Sequence, residues 1–143
     1  MTLVDFYILP EQYSNSKEEF ACRIADKAYR LGHSTYIHAE SREQATTLDD
    51  LLWTYNAGSF LPHELYSKSN PVDAPILVGF EDNPDVNFDV LVTLTTSVPL
   101  FFSRFMRVAE IVATDDSNRT HARERFRFYR DRGYPLNSHD IKV

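Results

Sequence analysis

The stretch that decides the fold opens the chain. It is Val4-Asp5-Phe6-Tyr7-Ile8-Leu9-Pro10, followed after a polar turn by Ser16-Lys17-Glu18-Glu19. The first run reads as a buried strand that stops at the proline. The second is a capping box, in which Ser at the N-cap and Glu three residues later satisfy free amides at a helix start. Phe20, Ile24, Ala28 and Leu31 then follow at spacings of four, four and three, which places them on one helix face. Gly32 is positioned to end that helix in a left-handed conformation.

The same alternation continues outward. Ser34 to Ala39 reads as a second strand, and Ser41-Arg42-Glu43-Gln44 as a second capping box. Ala45, Leu48, Leu51 and Leu52 form the apolar stripe of a helix ending near Trp53. The order β-α-β-α predicts parallel strands joined by right-handed crossovers, an α/β fold with a mostly parallel sheet and helices on both faces. Thr54 to Asn70 reads as irregular and rich in aromatics. Pro75 precedes a short strand, Ile76 to Phe80, and Glu81 to Asn87 reads as a turn. Asp89-Val90-Leu91-Val92-Thr93-Leu94 is the strongest strand, apolar on both faces. Pro99 to Phe105 reads as one or two helical turns, and Val108 to Val112 as a further strand. Asp115 or Asp116 can cap a last helix to about Arg132, stopped by Gly133 and Pro135. There is no repeat, linker or low-complexity tract, so a single domain over residues 1–143 is expected.

Composition narrows the class. With 143 residues, 43% hydrophobic and 25% charged, the chain is long enough to bury a core without disulfide or metal staples. One cysteine, Cys22, excludes an internal disulfide and a cysteine-built zinc site. No apolar run reaches the roughly 18 residues of a membrane span, and Met1 to Pro10 lacks the basic start of a secretory signal. A cytoplasmic location with no membrane contact is expected. The net charge of -6 is uneven. Residues 1–100 carry 6 basic and 15 acidic side chains, and residues 101–143 carry 9 basic and 6 acidic. The acidic body repels nucleic acid, while the basic end suits a phosphate or an acidic peptide.

Catalytic signatures are missing. The first βα turn of a doubly wound fold usually carries the glycines that bring backbone amides to a phosphate. Here that turn runs from Leu9 to Ser16 with no glycine, and with Glu11 to repel a phosphate. GxGxxG and the P-loop pattern are absent, which disfavours the alternative of a nucleotide-binding enzyme and predicts no cofactor. His33, His38, His63, His121 and His139 show no ligand spacing. Cys22 reads as a packed thiol, and Asp49-Asp50 and Asp115-Asp116 as exposed faces or caps. The sequon Asn118-Arg119-Thr120 reads as chance.

Two surfaces stand out. On a wheel drawn from Arg119, Arg123, Arg127 and Arg130 fall at about 40°, 80° and 20°, beside Ala122, Phe126 and Tyr129 at about 300°, 340° and 280°. One reading is a helix docked by its aromatics with solvated arginines alongside. The other is a site for an acidic peptide with an apolar end, walled by Val112 of the preceding strand. The second surface is the run from Trp53 to Leu65, including Phe60, Leu61 and Pro62. Its large apolar residues either fold back on the core or anchor a partner.

Taken in order, several of these pieces resemble the chi subunit family of bacterial DNA polymerase III holoenzyme. They are Val4 to Leu9, Leu48-Asp49-Asp50-Leu51-Leu52-Trp53, Ser59-Phe60-Leu61-Pro62-His63, Asp89 to Leu94, and Ala122-Arg123-Glu124-Arg125-Phe126-Arg127-Phe128-Tyr129-Arg130. The resemblance implies a Rossmann-like three-layer domain acting as a non-catalytic clamp-loader accessory. It implies two partners, the psi subunit and the acidic C-terminal tail of single-stranded DNA-binding protein. A repair-type helicase is implied as a further partner through the psi-facing surface. Carried over by position, Trp53 and Phe60, with Leu61 and Pro62, match the psi-facing side. Val112 and Arg123 match the tail pocket, with Arg119, Phe126, Arg127 and Arg130 as neighbours. Arg119 and Arg127 stand where some relatives have Lys, which keeps the charge. Phe126 stands where a Tyr occurs, which removes a phenolic hydrogen bond. Lys68 to Asn87 matches the family poorly, and nothing is carried over there.

Overall fold

The computed structural model describes residues 1–13, 16–55, 58, 60–69 and 71–142. Ser14 and Asn15 of the first turn, Asn56, Ala57 and Ser59 of the aromatic run, Asn70 and Val143 lie outside the described residues. The elements are β1 (Leu3–Ile8), α1 (Lys17–Arg30), β2 (Thr35–His38), α2 (Arg42–Thr54), β3 (His63–Leu65), β4 (Ile76–Gly79), β5 (Val90–Thr93), a 3-10 turn (Phe102–Arg104), β6 (Arg107–Val112), α3 (Asp116–Asp131) and β7 (Leu136–Asp140). The strands make one sheet in the order β3-β4-β2-β5-β6-β1-β7. Every pairing is parallel.

The helix starts form for the reasons their sequences give. Ser16 Oγ accepts the Glu19 amide at 3.1 Å, and Ser41 Oγ accepts the Gln44 amide at 3.1 Å. Gln44 reaches back past the N-cap to accept the Glu40 amide at 2.7 Å, a variant of the capping box. Asp115 caps α3 by accepting the Asn118 amide at 3.2 Å. A hydrogen bond from the Asn118 side-chain amide, and then the backbone cap, hold the Asp115 carboxyl below its ordinary range. Gly32, at φ +83°, ends α1 in the left-handed region. Leu31 does not join the apolar stripe of α1. It is the C-cap, 66% exposed, and Ala21, Cys22 and Ala25 bury in its place. Burial pushes the Cys22 thiol up to about 12, so it is inert packing.

Because the strands are buried on both sides, alternate residues serve two cores. Ile37, Val78, Val92 and Ile111 face α1 and α2. Val4, Phe6, Leu91, Val108 and Val112 face α3 and the 3-10 turn. The result is a three-layer α/β sandwich. Two strands depart from the sequence reading. β3 lies inside the stretch read as irregular, and β7 follows Pro135, where no strand was expected. Both are edges, three and five residues long, and largely exposed, so neither carries the apolar signature of an inner strand.

Candidate functional site

A notch of about 230 Å³ lies where α3 crosses the carboxyl ends of β6 and β1. Its floor follows from register. Ile8 pairs with Val112, and Phe6 pairs with Ser138, so these four present adjacent rows on one face of the sheet. Ala122 and Phe126 hang over the floor from α3, with Phe126 and Phe6 in ring contact at 5.4 Å. Arg119 and Arg123 complete the lining. The notch therefore joins an apolar floor to two guanidinium groups, which suits a ligand carrying both a carboxylate and an apolar group.

The structure brings together Val112, Arg119, Arg123 and Phe126, as the sequence reading placed them. It leaves Arg127 and Arg130 outside. They share an angular sector with Arg119, but a helix rises about 1.5 Å per residue, so they sit roughly 12 and 16 Å further along the axis. Arg130 instead pairs with Asp131 at 3.2 Å. Arg119 lies 3.7 Å from Glu11 of the first βα turn. Arg123 and Arg127 have no ion pair or hydrogen bond among the described residues. Phe6, Ile8 and Ser138 were missed by the sequence reading. The alternation of β1 puts Phe6 and Ile8 on one face, but choosing that face requires the strand order.

What holds α3 in place was also missed. Glu110 and Arg125 are both buried. Arg125 donates Nε–H to Glu110 Oε1 at 2.8 Å, and Tyr129 donates its hydroxyl to Oε2 at 2.7 Å. Arg125 also donates to the Thr96 carbonyl at 3.1 Å. Burial raises the Glu110 carboxyl, opposed by Arg125 and the Tyr129 hydrogen bond, and burial raises the Tyr129 hydroxyl. The signal was present in sequence: a lone acid in the apolar run Val108 to Val112, and an arginine at about 240° on the wheel, beside Tyr129 at the margin of the apolar arc.

The second surface is at the opposite edge of the sheet. Trp53 and Phe60 are 57% and 64% exposed, with ring centroids 5.5 Å apart. Trp53 stands edge-on to His63 at 4.6 Å. His63 donates Nδ1–H to the Leu61 carbonyl at 2.6 Å, and its Nε2 lies 3.3 Å from Asp49. Leu61 itself is 2% exposed and belongs to the core, so it supports this surface from beneath rather than forming it. Pro62 is half-buried.

The family model described as DNA polymerase III chi subunit, HolC, matches residues 1–137. This chain belongs to the DNA polymerase III chi subunit family. Relatives named DNA polymerase III subunit chi support the assignment. That of Pseudomonas aeruginosa is 40% identical over 141 residues, covering 99% of this chain and 98% of the relative. Those of Haemophilus influenzae and Escherichia coli are 31% and 33% identical, covering 95% and 93% of this chain and 95% and 94% of the relatives. As a chi-family chain it is an accessory subunit of the replicative polymerase, not a catalytic one. No helix among its described residues is long and apolar enough to cross a membrane.

Proposed function

We propose that this chain is a bivalent adaptor within the polymerase III clamp-loader assembly. One face, built on Trp53 and Phe60 with Pro62 beside them, buries apolar area against the psi subunit. The notch beneath α3 takes the acidic C-terminal tail of single-stranded DNA-binding protein. There Arg119 and Arg123 pair with carboxylates, and an apolar side chain of the tail packs on Val112 and Phe126. The observation that carries this reading is Arg123, a guanidinium without a partner among the described residues, at the mouth of an apolar notch. Arg127 and Arg130, further along α3, extend the basic track for upstream acids of the tail. Two modest contacts joined in one molecule raise effective concentration without added area. The adaptor works in the cytoplasm and meets DNA through its coat protein. A repair-type helicase, where present, competes with psi for the aromatic face.

Calorimetric titration with a synthetic acidic tail peptide tests this. The parent chain binds, salt weakens binding, and Arg123→Ala weakens it about tenfold while psi still co-elutes. Equal affinity in parent and variant refutes the notch as the tail site. Retention on naked single-stranded DNA, without coat protein, refutes the peptide reading.

A further inference from the structure

A second and larger cavity, about 590 Å³, opens at the carboxyl ends of β2, β4 and β5. Its place follows from topology. β2 and β5 are neighbours. After β2 the chain crosses through α2 on one face and moves outward to β3. After β5 it turns through the 3-10 stretch on the other face and moves the opposite way to β6. Connections that diverge from adjacent strands leave a crevice between their ends, where open α/β sheets hold ligands.

The crevice is not built for a phosphate. No glycine lines it, and Glu40 and Asp82 do. Arg104, the arginine in its lining, is tied to the Asn83 side chain and to the Pro84 carbonyl at 2.8 Å. Glu40 accepts from the Thr96 hydroxyl at 2.8 Å through one carboxylate oxygen, and Asp82 is exposed and has no hydrogen bond or ion pair among the described residues. Phe80 supplies an aromatic wall and already carries one guanidinium, that of Arg42, 5.0 Å from its ring centroid. His38, 5% exposed, also lines the crevice, and its Nδ1 has no hydrogen-bond partner among the described residues. A buried imidazole with unmet bonding capacity beside a cavity is the kind of group that calls for explanation.

We propose that this crevice binds a guanidinium group, paired with the carboxylates of Glu40 and Asp82 and packed on the Phe80 ring. A guanidinium uses an aromatic face for stacking and carboxylates for forked hydrogen bonds, and this lining offers both. An arginine side chain on a protein and a free guanidinium-bearing small molecule share that chemistry. The site is separate from both the notch and the Trp53 surface, and does not depend on the adaptor reading.

The test is a two-dimensional NMR titration of the full chain with N-acetylarginine amide, with an arginine-containing pentapeptide, and with N-acetylglutamate amide as the anionic control. The expected result is saturable shifts at Phe80, Asp82 and Thr95 with the arginine probes and none with the anion. Asp82→Asn weakens binding about tenfold, and Glu40→Gln by a similar factor. Tighter binding of the pentapeptide points to a protein source, and equal binding to a free molecule. Asp82 is exposed, so its variant keeps the test valid even if Glu40→Gln loosens the contact to Thr96. Absence of saturable shifts at millimolar probe, unchanged affinity in Asp82→Asn, or preference for the anion overturns the proposal.

Discussion

Arg125 points into the protein to meet Glu110 at 2.8 Å, while Arg123, two residues earlier on α3, lines an open notch. One helix thus holds a locked guanidinium and an available one. Removing one partner of a buried pair leaves an uncompensated charge and costs about 3–5 kcal/mol. Arg125→Met should lower the unfolding free energy extrapolated from urea denaturation by that amount. The double variant Arg125→Met with Glu110→Leu should recover much of the loss. A single variant as stable as the parent would show that the pair does not hold α3.

Glu11 lies 3.7 Å from Arg119 and is itself largely exposed. It offers the notch an internal carboxylate. Under the adaptor reading, Glu11→Gln releases Arg119 and tightens tail binding about two- to threefold at low salt. The gain should vanish at high salt. Titrations of parent and variant at two ionic strengths check both statements, and equal affinity at low salt counts against competition by Glu11.

Under the adaptor reading, the aromatic face separates binding from stability. Trp53→Ala and Phe60→Ala remove exposed side chains and should change stability by no more than about 1 kcal/mol, while abolishing co-elution with psi. Leu61→Ala empties a core position and should cost about 2–5 kcal/mol. Thermal melts alongside co-elution distinguish the two behaviours.

His38 gives a pH dependence. Burial pushes its imidazole down to about 4 from an ordinary 6.5, against the opposing pull of Asp82 and Glu40. Above pH 6.5 both folded and unfolded chains are neutral there, so no penalty exists. Between 6.5 and about 4 the unfolded chain takes up a proton that the folded chain does not, so stability falls as pH falls. The loss reaches about 3 kcal/mol at roughly 1.4 kcal/mol per unit. Carboxylates of the unfolded chain also take up protons in the lower part of this window. The check is therefore the difference between parent and His38→Gln in denaturant midpoints across it, which should slope with pH.

The inner strands and all three helices were legible because their signals are local. Ser16, Ser41 and Asp115 cap as their spacing predicts, and β4, β5 and β6 are apolar runs of the expected length. β3 and β7 were not legible, since an edge strand buries little and needs no apolar alternation. The same distinction governs the notch. Arg119, Arg123 and Phe126 share one helix, so a wheel finds them. Ser138 arrives by strand order, and the exclusion of Arg127 and Arg130 is a matter of axial distance, which a wheel discards.

Strand β1 is flanked on both sides by β6 and β7, so Val4 waits for Val108 and Leu136 before either of its edges is hydrogen-bonded in the sheet. During synthesis, this apolar strand leaves the ribosome about a hundred residues ahead of its first sheet neighbour. Until then Phe6 and Ile8 are open to chaperones and to pairing with other nascent chains. The cleft they floor is assembled last.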